Sequence, residues 1–404
     1  MIVEVSYGEA IDKITILQLK IHRIKNQEKV ATAQEELISL TAAVSDRVLQ
    51  LIATLREQLL YINGILWWVE DDLREKEARN EFDHRFITLA REVYHLNDRR
   101  AQIKHAIDLQ LLSTLREVKS YSPYAKEPIF LFGHLGMGDQ LIMNGMVRYV
   151  AMFHSRVVLV ARKIHKRNME FMYRDIADRI GFHWVADDNE IDPLLGADVE
   201  IIKKYKDDGF RIIFLGQHTI DGWCSYGRDF AEAFYQQAGI DYSVRGRYFF
   251  VPRDRTREHR YYETAVRTVG NQYIFLHDDP ERNLIIHRDH PAISSLPIFH
   301  PNDSTVNLLT TDPDGTIFDY CEIIEKACEL HTMDSSFAIL ADSIGAGQRR
   351  VLHSYVKTDV YPFLYINGPW EFVGTHIAAI TALIATECIV ANNFNKFKCR
   401  INYL

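Results

Sequence analysis

An aspartate that closes a glycine loop at the mouth of a helix is placed to take a proton. Asp139 stands there, at the end of Gly133-His134-Leu135-Gly136-Met137-Gly138. The apolar run Ile129 to Phe132 precedes the loop and predicts a buried strand. Leu141, Ile142, Gly145, Met146, Tyr149 and Val150 follow it with helical spacing. Strand, glycine loop and helix make a ligand site in α/β proteins. Glycine lets backbone approach a ligand closely, and a helix start offers free N–H groups and partial positive charge. A carboxylate in that place repels a phosphate, while the helix dipole keeps it ionised and ready to accept a proton. The plainer role for Asp139 is to cap a helix beginning at Gln140. The spacing is neither the GxGxxG of a dinucleotide fold nor a P-loop.

Three further constellations carry polar chemistry. Asp334, Ser335 and Ser336 lie in HTMDSSFA, between helices expected at 320–330 and 337–344. Hydroxyls and free N–H groups at a helix start suit a diphosphate, and an N-cap is again the plainer role. His277-Asp278-Asp279-Pro280-Glu281-Arg282 ends a predicted strand, and ligands collect at the carboxyl ends of strands in open α/β sheets. There Arg282 suits bidentate contact with a phosphate. The adjacent carboxylates suggest a divalent metal, but beside Arg282 a turn is the better reading and no metal is expected. His287-Arg288-Asp289-His290 reads as a solvated loop. Gln217 and His218, with Trp223 behind them, follow another strand and suit an acceptor sugar.

The elements that must position these residues come in two textures. Residues from about 9 to 118 contain no proline and repeat apolar side chains every three or four positions. The seams are Ile14, Leu17, Ile21 and Ile24; Val48 to Leu73; and Phe82 to Ile107. They predict three helices in a hairpin or bundle with coiled-coil character, either closed on itself or open to self-association. The adjacent Trp67 and Trp68 cannot share one narrow stripe. SYSPYAKEP, residues 120–128, is the boundary. Beyond it strands are expected at 129–133, 157–161, 212–215, 273–277 and 350–355. Helices are expected at 139–153, 166–179, 197–207, 229–237, 257–268, 319–329 and 335–344. The alternation argues for parallel sheets with helices on both faces. Its length allows two Rossmann-like domains, 121–250 and 251–404, after a helical domain at 1–120.

Composition narrows the classes. Hydrophobic residues make up 47% and charged residues 25%, as in a folded protein. A net charge of −8 without a basic stripe argues against nucleic acid. Five scattered cysteines without CxxC spacing argue against a disulfide framework or structural zinc. The first residues lack the pattern of a signal peptide. The longest apolar stretch, Ile377 to Ala391, is interrupted by Thr381, Thr386 and Glu387 and falls short of the roughly 18 residues a span needs. A cytoplasmic location is therefore expected, with peripheral membrane contact left open.

Two resemblances add to this. VSYGEAIDKITILQLKIHRI, LWWVEDDLREKE and ITLAREVYHLNDRRAQIKHAI, closing in REVKSY, resemble a bacterial helical family of unknown function over residues 3 to 121. That resemblance implies a fold and no activity. Met137-Gly138-Asp139 before an apolar helix resembles the N-terminal loop of the lipopolysaccharide heptosyltransferases. Asp334-Ser335-Ser336 with Ala338 and Ala341 resembles that family's donor-diphosphate motif, and is similar to the serine-rich donor loop of GT-B fucosyltransferases. Ser336 stands where the heptosyltransferases usually have glycine, and Ile339 replaces their histidine.

The resemblance implies a GT-B fold: a pair of Rossmann-like domains, here behind an α-helical domain. It implies inverting, metal-independent transfer from a nucleotide sugar to a glycan or other hydroxyl acceptor. Asp139 inherits the role of catalytic base. Asp334, Ser335, Ser336, Arg282 and His277 are then donor-side residues. Gly136, Gly138, His134, Gln217 and His218 line the acceptor side. No cofactor is expected beyond the nucleotide-sugar substrate. One alternative is a non-enzymatic helical scaffold with a degenerate nucleotide-binding module, favoured by the missing histidine. The other is an oxidoreductase. The window 159–163, LVARK, is basic where NAD binding needs an acid, which leaves NADP through Arg162 or Lys163.

Overall fold

The computed structural model describes residues 4–115, 117, 127–186, 199–216, 230–303, 312–345, 349–356 and 367–374. The chain forms two compact units, Met1–Lys126 and Glu127–Leu404. Gln217, His218, most of the boundary segment and the apolar stretch at 377–391 lie outside the described residues. Among those described, no helix is long and apolar enough to cross a membrane.

The first unit is helical, with five described helices rather than three: α1 (Tyr7–Arg23), α2 (Gln27–Ala43), α3 (Asp46–Leu51), α4 (Ala53–Ala78) and α5 (His84–Gln110). Side-chain caps cut the chain into these pieces. Ser6, Asn26, Ser45 and Asp83 each accept a backbone N–H three residues on, satisfying groups a helix start leaves open. The seam expected from Val48 to Leu73 breaks at Ile52, which is buried but leaves helical geometry with ψ at 18°. α4 and α5 pack as a hairpin, burying Leu59, Ile62, Leu66 and Val69 on one helix and Leu89, Leu96, Ile103 and Ile107 on the other. Trp67 is half-buried and Trp68 exposed, and the Arg23 guanidinium lies over both rings, 5.7 and 4.5 Å from their centroids.

The second unit is mixed α/β with two parallel sheets. The first comprises β1 (Ile129–Phe132), β2 (Val157–Arg162), β3 (Ile180–Val185) and β4 (Arg211–Phe214), in the order β3-β2-β1-β4. The second comprises β5 (Ile274–His277), β6 (Ile298–Phe299), β7 (Glu329–Thr332), β8 (Arg349–His353) and β9 (Glu371–Val373), in the order β6-β5-β7-β8-β9. All pairings are parallel. β1 and β5 are buried at every residue, as strands covered on both faces must be. Helices α6 (Met137–Phe153), α7 (Lys166–Met172), α8 (Val199–Asp207), α9 (Phe230–Gln237), α10 (Arg255–Val269), α11 (Cys321–Lys326) and α12 (Ser336–Ser343) supply much of that cover.

β3, β6, β7 and β9 were not expected from sequence. The expected helix at 319–329 is a short 3-10 turn, Ile317–Tyr320, followed by α11. Ala327 then turns extended, with ψ at 139°, and Glu329 enters the sheet as β7.

Both strand orders reverse direction at one point. The first sheet reverses between β1 and β4, the second between β5 and β7. Loops leaving the carboxyl ends of such neighbours diverge to opposite faces and open a crevice. His134 and Gly216 leave the first pair. Asp278 and Asp334 leave the second.

Candidate functional site

At the first crevice, α6 begins at Met137, and its cap is Gly136 in extended backbone. Asp139 is therefore the third helical residue. It does not cap a helix beginning at Gln140, and its charge still sits inside the first turn, where the dipole favours it. A Cβ on Gly136 would lie 2.8 Å from Asp139 Oδ2, so a side chain at 136 would collide with the carboxylate.

His134 is held on several sides. Its ring Nε2 hydrogen bonds Gly216 O at 2.8 Å, and its carbonyl accepts from the buried Gln140 amide at 2.8 Å. Gln140 also donates to Val160 O at 3.2 Å, tying the loop to β2. The ring packs 5.5 Å from that of Phe234. Its Nδ1 lies 3.9 Å from Asp139 Oδ2, and both side chains are partly exposed. Only glycine fits at 216: φ is +72°, and a Cβ would come within 2.3 Å of Phe234 and 2.6 Å of the His134 ring.

At the second crevice, His277 ends β5, and its Nδ1 hydrogen bonds Ser335 Oγ at 3.1 Å. Burial pushes this imidazole down to about 4, helped by nearby His300, so it is neutral at physiological pH. Ser335 caps α12, accepting from Ala338 N–H at 3.4 Å. Its hydroxyl therefore serves its own helix. Ser336 is the first helical residue, half-buried like Asp334.

The neighbouring carboxylates build the loop. Asp278 is fully buried. It accepts the Ile286 N–H at 2.9 Å, hydrogen bonds His300 Nε2 at 2.6 Å and faces Arg288 at 3.5 Å. Burial opposes ionisation, yet these partners together pull its carboxyl below the ordinary value. Asp278→Ala strands the Ile286 N–H and is expected to cost about 2 kcal/mol in denaturant unfolding. Because the folded value is depressed, this stabilisation is present above the unfolded pKa. It fades as pH falls through the folded value, so variant and wild type should converge in acid. A constant gap down to the acid transition would refute the assignment.

Asp279 accepts from Arg282 at its backbone N (3.2 Å) and at Nε (2.5 Å). Arg282 is thus exposed and paired with its own turn, and a phosphate must compete with Asp279 for it.

Sequence reasoning missed one cluster. His331 and His353 are fully buried on adjacent strands, with His331 Nδ1 and His353 Nε2 2.9 Å apart. Glu329 Oε2 lies 2.9 Å from His331 Nε2. Burial pushes His353 down to about 3, with His331 and His290 adding to it. His287 and His290, expected in a solvated loop, stack on Tyr355 at 5.7 and 5.5 Å. His331 and His353 stand 22 positions apart, and sheet register alone joins them.

The two helix starts meet. α6 packs on α12, and a Cβ on Gly138 would lie 3.9 Å from both N and Cα of Ser336. Asp139 is the next residue.

Residues 1–136 match the model of a family of unknown function, DUF6165. The match covers roughly a third of the chain. A crystal structure described as a glycosyl transferase family 9 from Veillonella parvula DSM 2008 is similar over 67% of this chain and 92% of its own. It is 12% identical, with a TM-score of 0.39, too loose a likeness to carry an argument. No curated protein matches the chain.

Proposed function

We propose that the chain is a glycosyltransferase of GT-B type, moving a sugar from a nucleotide-sugar donor to a hydroxyl acceptor with inversion. The observation that carries this is the meeting of two unlike helix starts, Gly138-Asp139 on α6 and Ser336 on α12. One bears a carboxylate suited to accept a proton. The other bears the Ser336 hydroxyl and helix-start N–H groups suited to a diphosphate. Asp139 takes the proton of the acceptor hydroxyl, whose oxygen bonds to the anomeric carbon as the bond to the diphosphate breaks. The charge released on the leaving group falls to the Ser336 hydroxyl and the first N–H groups of α12, the place where fixed dipoles act most strongly. Neutral His277 keeps Ser335 capping that helix. Charge neutralisation is assigned to the helix dipole, with Arg282 in competition with Asp279, rather than to a metal.

The test is thermal unfolding of the full chain with UDP, GDP, ADP, CMP and NADP. A ligand at about 100 times its Kd stabilises by about 2.7 kcal/mol when it binds only the folded state. One nucleoside diphosphate should raise the melting temperature, and Ser336→Asp, which puts a negative charge at that helix start, should abolish the shift. A response to NADP alone would favour the oxidoreductase, with Arg162 at the end of β2 beside the 2′-phosphate. Silence with every nucleotide, and no diphosphate released from any nucleotide sugar, would favour the scaffold.

A further inference from the structure

We propose that His134 is the proton store for Asp139, receiving on Nδ1 the proton that the carboxylate takes from the acceptor hydroxyl. This rests on the base role of Asp139, and it adds a second residue to the acceptor-side chemistry.

The protonation pattern follows from the hydrogen bonds. A carbonyl only accepts, so the contact with Gly216 O requires the hydrogen on Nε2 of His134. In the neutral ring Nδ1 then carries the lone pair, and Nδ1 is the atom that faces Asp139 Oδ2 at 3.9 Å. That distance is longer than a hydrogen bond but within ion-pair range once the ring is protonated. The ring cannot easily turn away: Gly216 O holds one edge, Phe234 packs beside it, and Gln140 fixes the backbone behind it. The glycine at 216 is what lets the ring lie so close to the end of β4.

The relay balances. The acceptor O–H gives its proton to Asp139, and the oxygen's electron pair forms the new bond to the anomeric carbon. The old carbon–oxygen pair leaves with the nucleoside diphosphate. Asp139 passes the proton to His134 Nδ1 and returns to carboxylate. The imidazolium then lies between two acceptors, the Asp139 carboxylate and the Gly216 carbonyl. A carboxylate is a poor resting place for this proton. An imidazole is intrinsically the more basic of the two groups. His134 is partly exposed, so solvent resets the ring before the next turnover.

A ring that merely plugs the end of the sheet predicts none of this, and two measurements separate the cases. The first uses full chain with isotope-labelled histidine, titrated by nuclear magnetic resonance without substrate, with His134→Gln assigning the signal. Neutral His134 should be the Nε2–H tautomer. Its Nδ1 signal should move in Asp139→Asn, because that substitution removes the charge facing the ring at 3.9 Å. The Nδ1–H tautomer, or an Nδ1 signal unmoved by Asp139→Asn, would overturn the proposal.

The second measurement is the pH profile of transfer. A ring protonated before reaction cannot accept, so wild-type turnover should fall on the acidic side of its profile. His134→Gln should lower kcat about tenfold to a hundredfold, leave KM for the nucleotide sugar unchanged and lose that acidic limb. An unchanged profile in His134→Gln would count against the relay. The base role fails separately: if Asp139→Asn keeps its turnover that role is wrong, whatever the titration shows.

Discussion

Asp139→Asn is expected to lower transfer by about a thousandfold, within the range that general-base catalysis contributes, while leaving the fold and nucleotide binding in place. The substitution keeps the shape of the side chain at the third position of α6 and removes only its charge. The lost attraction to the helix dipole is worth about 0.3–1 kcal/mol, so the melting temperature should hardly move. Nucleotide affinity should hold or rise. Gly138 packs against Ser336, so the neighbouring carboxylate repels a diphosphate at that helix start, and asparagine relieves the repulsion. Single-turnover transfer and nucleotide-induced thermal shift, measured on the same preparation, check both halves. A variant with full turnover removes Asp139 from the chemistry. A variant with lost nucleotide binding moves it to the donor side.

That pairing of losses matters because the two helix starts are neighbours with opposite demands. A phosphate wants positive potential and donors, which α12 offers through Ser336 and its open N–H groups. A base wants a charge kept ionised yet reachable, which α6 offers through a partly exposed carboxylate in its first turn. Putting both duties on one loop would set the carboxylate against the phosphate. On the proposed reading, dividing them between the reversal points of two sheets eases the conflict while keeping the groups close.

Some of this was legible in the sequence. Four apolar residues, a glycine loop and an apolar helix fix β1 and α6, because each local pattern agrees with its place in the fold. On the plainer reading of Asp139 the helix start was misjudged by three residues, since Gly136, which has no capping side chain, caps the helix that Asp139 would have capped. β7 was illegible. Glu-Leu-His-Thr is too short to show alternation, and it follows a real helix after two residues. α2 escaped because it buries only Ala33 fully and shows no stripe. The contacts that matter most for the site are the hardest to read. His134 and Gly216 are 82 positions apart, and only the pairing of β1 with β4 brings them together.

In the helical unit the largest loss is expected from Asp12→Ala, about 3–5 kcal/mol, as when one member of a buried ion pair is removed. Asp12 is buried on α1 among Ile11, Ile14 and Leu17, where an apolar residue would be the ordinary choice. Its carboxylate is instead the meeting point of three helices. Arg100 of α5 reaches it with Nε at 2.9 Å and with a second guanidinium nitrogen, and Asn63 of α4 donates to it at 2.9 Å. The same Asn63 amide donates to Thr15 at 2.9 Å. Deleting the carboxylate leaves a partly buried guanidinium without its counter-charge and a buried amide with Thr15 as its remaining acceptor, and the cost comes mainly from the stranded guanidinium rather than from the lost attraction. Asp12→Ala with Arg100→Leu should therefore lose clearly less than the sum of the single changes, because the double variant strands no charge. With two units in the chain, one melting curve does not report on the helices alone. Amide hydrogen exchange over residues 7–110 is the proper measure, and protection there should fall in Asp12→Ala and partly return in the double variant. A loss below about 1 kcal/mol, or strict additivity, would mean that apolar packing alone sets the register of these helices and that the buried carboxylate merely tolerates its place.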